Sequence, residues 1–268
     1  MNAPTPANTL EQPYVLHSVA DQVVTLTLNR GERFNPLSSG MIAALSDALD
    51  AIAKDSSIRA VVLAANGRGF CAGHDLKELR AHPDETWQRE LFQACGELML
   101  KIVRLPQPVI ARVHGIATAA GCQLTATCDL AVAADDARFA LPGVNIGLFC
   151  STPAVAVGRN LNRKRTMEML LTGDMIDAPT ALNWGLINRA VPAAGLDAEI
   201  AKFTDAIKSK SAAAVALGKE VFYRQMEMDL PRAYALTAET MTCNMGLEDA
   251  AEGIDAFIGK RAPNWKNR

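Results

Sequence analysis

Two segments rich in glycine and alanine have the residue types that bring backbone N–H groups close to a ligand. The first runs from Gly67 to Leu76 and the second from His114 to Leu124, and each follows a short apolar stretch. Where a small-residue loop leads into a helix, the first N–H groups of the helix are unpaired and carry partial positive charge. Two such loops that face each other predict a pair of donors for one oxygen that becomes negative. Tight turns and helix–sheet packing alone are the other explanation.

The side chains in and after these segments limit the acid–base chemistry. His74 titrates near neutral pH and is a candidate for proton transfer, although its side chain could also simply face solvent. Gln123 can orient a ligand or a water by hydrogen bonds, or it can be a purely structural amide. Cys150 and Ser151 can line a pocket, but neither has an obvious base beside it, so packing is the other role for Cys150.

Composition argues against several classes of function. The chain has 268 residues and a formal net charge of −2, and its basic residues are scattered. We therefore expect neither nucleic acid nor a membrane surface among its partners. No apolar run reaches the roughly 18 residues of a membrane-spanning helix.

The six cysteines predict location and metal content. They show neither CxxC spacing nor a histidine partner at zinc-finger distance, so no metal site is predicted. Most lie in apolar stretches, which favours reduced, buried thiols in a cytoplasmic protein. Residues 1–12 have no basic residue and no apolar core of a signal, and we interpret them as a disordered tail.

Hydrophobic periodicity predicts an α/β fold. Residues 14–17 and 23–28 favour a hairpin that turns at Asp21, and residues 38–54 favour an amphipathic helix before a buried strand at 60–65. Further alternation of helix and strand extends to about residue 150, and the chain is predicted to be almost entirely helical from Arg159. The predicted division is a disordered tail at 1–12, an α/β core at 13–195, and a C-terminal helical oligomerisation and lid region at 196–268.

The motifs FCAGHDLKEL and PVIARVHGIATAAGCQLTATCDL resemble the signature of the crotonase, or enoyl-CoA hydratase/isomerase, superfamily. GHDLKEL, AAGCQL and NIGLFCSTP are similar to the enoyl-CoA hydratase domain-containing protein 3 branch. The resemblance covers nearly the whole chain. It implies a crotonase-like (ClpP/crotonase) fold of repeated ββα units with a C-terminal helical trimerisation region. A homotrimer, or a hexamer built as a dimer of trimers, is the implied assembly.

The resemblance also implies where a thioester binds. The backbone N–H groups of His74 and Ala120 match the oxyanion hole, and Ala120 replaces a more common glycine, so its φ must be negative. For Arg33, Lys77 and Lys260 a solvated surface charge is the alternative role. The positions implied to contact CoA are Arg33, Phe34, Ala72, Asp75, Leu76, Lys77, Phe257 and Lys260.

The chain departs from this family at its acid–base positions. Gln123 and Gly143 stand where the hydratases carry their two catalytic glutamates, and Ser151 stands where some isomerases carry aspartate. Because positioned acid–base groups accelerate such reactions by typically about 10²- to 10⁴-fold, efficient hydration is doubtful. The sequence therefore predicts an acyl-CoA-processing enzyme of the lyase or isomerase class, acting in fatty acid metabolism, with no cofactor beyond the CoA of its substrate.

Two other functions are compatible with these residues. A non-catalytic acyl-CoA binding or regulatory protein would retain the CoA contacts without the acid–base pair. A structural assembly protein would use only the helical region. Retention of both small-residue segments favours an enzyme, because a binder gains little from donors placed for developing charge.

Overall fold

The computed structural model of the protein describes residues 12–268. The tail predicted at residues 1–12 therefore lies outside the described residues, except for its last residue. The described strands are β1 (Val15–Ala20), β2 (Val23–Leu28), β3 (Ala60–Ala65), β4 (Val109–Val113), β5 (Ile116–Thr118), β6 (Leu130–Ala134), β7 (Arg138–Ala140), β8 (Ile176–Asp177) and β9 (Arg189–Val191).

The α-helices of the same residues are α1 (Ser39–Ile52), α2 (Leu76–Ala81), α3 (Glu85–Arg104), α4 (Ala120–Thr127), α5 (Ser151–Asn160), α6 (Arg163–Thr172), α7 (Ala178–Trp184), α8 (Leu196–Lys208), α9 (Ala212–Gln225), α10 (Leu230–Met245) and α11 (Glu248–Ile258). Among residues 12–268, no helix combines the length and the apolar character needed to cross a membrane.

The main sheet has six strands in the order β1-β2-β3-β4-β6-β9. β1 and β2 form an antiparallel hairpin, and its turn residues Asp21 and Gln22 have φ values of 47° and 63°, as a type I′ turn requires. Every other neighbouring pair in this sheet is parallel. β3 is buried at all its positions, as expected of a parallel strand covered on both faces. The predicted hairpin and the predicted buried strand at 60–65 are confirmed.

Helices cover both faces of this sheet. The larger hydrophobic core lies on the side of α1, α3 and α4, and the smaller one joins Val62, Ile110 and Val132 to Leu196 and Ile200 of α8. All residues of α4 are buried. The helix that begins within the second small-residue segment is therefore held in the interior of the molecule.

A second sheet positions that helix. It has the order β5-β7-β8, with β5 parallel to β7. β5 ends at Thr118, and α4 begins two residues later at Ala120. The sheet thus fixes the strand that leads directly into the start of α4.

The region after Arg159 contains two strands that the helical prediction missed. β9 pairs with β6 and completes the main sheet, and β8 pairs with β7. Strands of three and two residues are too short to give an alternating pattern, whereas the helices around them dominate the periodicity. The rest of the region is helical as predicted, from α8 to α11.

The last helices leave much apolar surface exposed. α9 has no buried residue, and α10 buries only Ala233. The exposed large apolar side chains of α9, α10 and the segment between them are Phe222, Met226, Met228, Leu230, Tyr234, Met241 and Met245.

Candidate active site

The two small-residue segments are hydrogen-bonded to each other. Phe70 N–H donates to the Ile116 carbonyl at 2.9 Å, and Thr118 N–H donates to the Cys71 carbonyl at 2.9 Å. The Thr118 hydroxyl also donates to the Ala72 carbonyl at 3.2 Å. The first segment therefore runs beside β5 as far as the residues that precede His74.

Glycines make this approach close enough to exclude any larger residue. A Cβ on Gly121 would lie 2.0 Å from the Cys71 carbonyl oxygen, which is a backbone atom that cannot rotate away. A Cβ on Gly73 would lie 2.9 Å from the Ala119 Cβ and 3.3 Å from the Ala120 nitrogen, and Gly73 has a φ of 96°. His74, the next residue, is thereby held beside the start of α4.

The amides of His74 and Ala120 are free donors. Neither N–H donates a hydrogen bond to another group within residues 12–268. Ala120 is the first residue of α4 and its φ is negative, as the sequence requires. The positive φ falls instead on Ala119, with φ 50° and ψ −120°, and Ala119 N–H donates to the Ala140 carbonyl at 2.9 Å. Both amides are therefore available to a ligand.

The His74 residue is partly buried, and its imidazole packs against the protein rather than pointing into solvent. Its Nδ1 lies 3.1 Å from the Leu37 carbonyl oxygen, and its ring meets Phe92 edge to face, with centroids 5.3 Å apart. A carbonyl oxygen only accepts, so Nδ1 carries the hydrogen and Nε2 has a lone pair. Nε2 is buried and has no partner among the described residues. The alternative that this side chain faces solvent is wrong.

Burial also determines the charge of His74. It lowers the pKa of the imidazole below its ordinary value of 6.5, while the Leu37 contact and the Glu78 carboxylate act in the opposite direction. The ring is therefore neutral at neutral pH, with Nε2 able to accept a proton.

Gln123 lies in α4, one turn after the free Ala120 amide. Its residue is 4% exposed, and its side-chain Oε1 is buried without a partner among residues 12–268. The backbone N–H of Gln123 donates to the Ala119 carbonyl at 3.0 Å, which fixes the start of the helix. The side chain at this position is thus a neutral amide with unused hydrogen-bonding capacity.

Gly143 and Cys150 fill one volume together. Gly143 lies in a short 3-10 helix, Pro142–Ile146, and its N–H points to the Cys150 Sγ at 3.3 Å. A Cβ on Gly143 would lie 2.9 Å from that sulfur and 3.0 Å from the Leu148 carbonyl oxygen. Burial raises the pKa of the Cys150 thiol, so the sulfur remains protonated at neutral pH. Ser151 is exposed at the start of α5.

Six of the eight residues predicted to contact CoA lie together around the start of α2. Asp75 caps α2 through the Lys77 N–H at 3.0 Å, and it pairs with Arg33 at 2.6 Å. Ala72 N–H donates to the Phe34 carbonyl at 2.9 Å. Leu76 and Lys77 are exposed beside them.

Phe257 and Lys260 lie at the other end of the chain. Phe257 is in α11, which packs against α9 and α10, and its side chain is 86% exposed. Lys260 follows α11 and has a φ of 50°. Their CoA contacts stay predictions.

Three residues of this arrangement were not predicted from the sequence. Leu37 supplies the carbonyl that orients His74, Phe92 packs on its ring, and Ala119 has a positive φ. None has a reactive side chain, so only the pairing of distant segments reveals them. A groove of about 600 Å³ between β2, β3 and α8 contains none of the predicted site residues.

The chain is similar to known proteins over nearly its whole length. The family model described as enoyl-CoA hydratase/isomerase matches residues 18–268. The mouse protein named enoyl-CoA hydratase domain-containing protein 3, mitochondrial, is 46% identical over 247 residues, covering 92% of this chain and 82% of the mouse protein. A crystal structure of enoyl-CoA hydratase from Mycobacterium smegmatis has a TM-score of 0.93 and 56% identity, covering 95% of this chain and 99% of its own.

A human structure extends the comparison. The crystal structure of human enoyl-CoA hydratase domain-containing protein 3 has a TM-score of 0.89 and 43% identity, covering 95% of this chain and 100% of its own. The mouse relative is named mitochondrial, which contradicts the predicted cytoplasmic location. That prediction relied on reduced cysteines, and these do not distinguish one reducing compartment from another.

Proposed function

Because the chain belongs to the enoyl-CoA hydratase/isomerase family, we propose that it processes acyl-CoA thioesters by stabilising an enolate or thioester oxyanion with backbone amides. The family, the branch and the crotonase-like fold predicted from the motifs are confirmed. The reaction, the site residues and the assembly are the proposal.

The observation that carries this proposal is the pair of free amides at His74 and Ala120. They belong to two segments that are hydrogen-bonded to each other, so they need little reorganisation when a ligand arrives. Preorganised donors of this kind stabilise the negative charge that develops on a thioester oxygen, and loss of one typically costs about 10²- to 10³-fold in rate. The Ala120 amide also lies at the positive end of α4.

The proposed reaction does not use the two-carboxylate route of hydration. Gln123 cannot accept a proton, and Gly143 has no side chain; Cys150 fills the adjoining space. We expect crotonyl-CoA to be hydrated far more slowly than by hydratases that carry both glutamates, by about 10²-fold or more. We propose instead a lyase or isomerase reaction in fatty acid metabolism.

CoA enters as part of the substrate, and no metal or other cofactor is proposed. Arg33 and Lys77 are the cations nearest the start of α2, and Arg33 is half exposed despite its pairing with Asp75. A guanidinium and an ammonium at this place are suited to CoA phosphates.

A homotrimer or a dimer of trimers is the proposed assembly. The exposed apolar side chains of α9 and α10 support it, since monomeric proteins rarely leave so much contiguous apolar surface open to water. Light scattering on the purified protein measures the mass directly, and a monomer at micromolar concentration would contradict the assembly.

A non-catalytic acyl-CoA binder is the second candidate, and the missing carboxylates favour it. A panel of acyl-CoA thioesters separates the two when binding is followed by calorimetry and product formation by mass spectrometry. The enzyme predicts product from at least one thioester, whereas the binder predicts stoichiometric complexes without product. If no thioester binds, both candidates are wrong.

A further inference from the structure

We propose that the His74 imidazole is the catalytic base of this site and removes a proton from C2 of the bound thioester. The inference rests on the proposed function, because it needs a thioester whose carbonyl oxygen is held by the amides. It concerns a side chain, whereas the oxyanion role of the same residue uses only its backbone.

The first support is the fixed tautomer. The Nδ1 hydrogen is committed to the Leu37 carbonyl at 3.1 Å, so the lone pair is on Nε2. Edge-to-face packing on Phe92 holds the ring plane. A base must present its lone pair in one direction, and these two contacts fix that direction.

The second support is that Nε2 is unsatisfied. It is buried and has no partner among residues 12–268, although a buried polar atom without a partner costs about 1–3 kcal/mol. Gln123 Oε1 is in the same condition. One unused acceptor is on the residue that carries the first free amide, and the other is three residues after the second, so both are candidates for contact with a bound ligand.

The charges around the ring are compatible with a neutral base. Leu37 and Phe92, which pack on the imidazole, bring no charge. Glu78 of α2 is the charged group that acts on it, and Asp75 is already paired with Arg33. Burial lowers the pKa of His74 more than Glu78 raises it, so the base is unprotonated at neutral pH.

The step is balanced without an oxidant or a reductant. Nε2 takes the proton from C2, the C–H electron pair forms the C1–C2 double bond, and the carbonyl electron pair moves to the oxygen held by the amides. The imidazolium then exchanges its proton with solvent and returns one to C2. In heavy water this cycle places deuterium on C2 of a saturated acyl-CoA.

The experiment measures that exchange by mass spectrometry for saturated acyl-CoA thioesters of short, medium and long chain, with binding followed by calorimetry. His74→Asn retains the backbone amide and offers its side-chain NH₂ to Leu37, but lacks the Nε2 lone pair. His114→Gln is the matched control, because His114 is also a histidine with one ring nitrogen bonded to a carbonyl and the other buried without a partner.

We expect His74→Asn to bind the thioester as the wild type does and to lose about 10²- to 10⁴-fold in exchange rate. His114→Gln should exchange at the wild-type rate. The wild-type exchange rate should be constant near neutral pH and should fall as the pH drops through the pKa of His74, which lies below 6.5. The pH profile needs only the wild-type protein, so it tests the role of His74 even if a variant fails to fold.

Three results overturn the inference while the proposed function stands: thioester binding with no exchange, equal exchange in His74→Asn, or a rate with no loss at acidic pH. Absence of thioester binding by the wild type would refute the proposed function, and the inference with it.

Discussion

The two halves of the candidate site differ in what holds them in place. The backbone half, formed by the segments around Gly73 and Ala120, is fixed by repeated hydrogen bonds and by contacts that only glycine permits. The side-chain half, with His74, Gln123 and Cys150, contains buried polar atoms that lack partners or carry no charge at neutral pH. The backbone half can thus stay intact while the acid–base residues change.

Restoring the carboxylates is the strongest test of this difference. The variant Gln123→Glu with Gly143→Glu and Cys150→Ala should gain about 10²- to 10⁴-fold in crotonyl-CoA hydration, because the amides are already in place. Removal of the sulfur is needed, since a Cβ at position 143 would lie 2.9 Å from it. Spectrophotometric loss of the enoyl absorbance measures the gain.

The double variant that retains Cys150 is the control and should gain much less. Some adjustment is needed even in the triple variant, because the Leu148 carbonyl would lie 3.0 Å from the new Cβ. A triple variant that binds crotonyl-CoA and hydrates it no faster than the wild type would show that the backbone half is not competent.

Disturbing the backbone half should change the rate almost as much, but in the opposite direction. Gly121→Ala places a Cβ 2.0 Å from the Cys71 carbonyl, so α4 and its Ala120 amide must shift. We expect about 10²- to 10³-fold loss of turnover on the thioester that the panel identifies. Gly96→Ala in α3 is the control, since nothing lies within 4 Å of its added methyl group. Wild-type turnover by Gly121→Ala contradicts the role of this contact.

The side-chain half predicts a pH dependence of stability. His74 has a pKa below 6.5 in the folded protein, so the unfolded chain binds a proton first as the pH falls. The free energy of unfolding should therefore decrease as the pH drops below about 6.5 and down to the folded pKa. Denaturant titrations of wild type and His74→Asn at several pH values should show a smaller decrease in the variant, and equal decreases would exclude this origin.

Relief of the strain at Ala119 should give the smallest effect. Its φ of 50° with ψ −120° is unfavourable for a residue with a Cβ, whereas glycine adopts it freely. Ala119→Gly should raise the free energy of unfolding by about 1 kcal/mol with unchanged turnover. A destabilised variant would mean that the alanine methyl contributes packing that outweighs the strain.

The fold was predictable because its elements follow local patterns, and the small-residue segments of the backbone half are visible in the same way. The alternation of β2, α1 and β3 and the glycines near residues 73 and 121 are visible in the sequence, and the crotonase-like fold is confirmed. The side-chain half was less predictable. The burial of His74 depends on Leu37 and Phe92, which are far away in the chain. Likewise, nothing in the sequence places the Cys150 sulfur against Gly143.

The most direct measurement is the carbonyl stretching frequency of a thioester labelled with ¹³C at C1, recorded by difference infrared spectroscopy with the label bound and free. Two amide donors on one oxygen weaken the carbonyl bond, so we predict a lower frequency in the complex, retained in His74→Asn and lost in Gly121→Ala. A bound thioester with an unshifted carbonyl frequency would contradict the central claim that these amides polarise it.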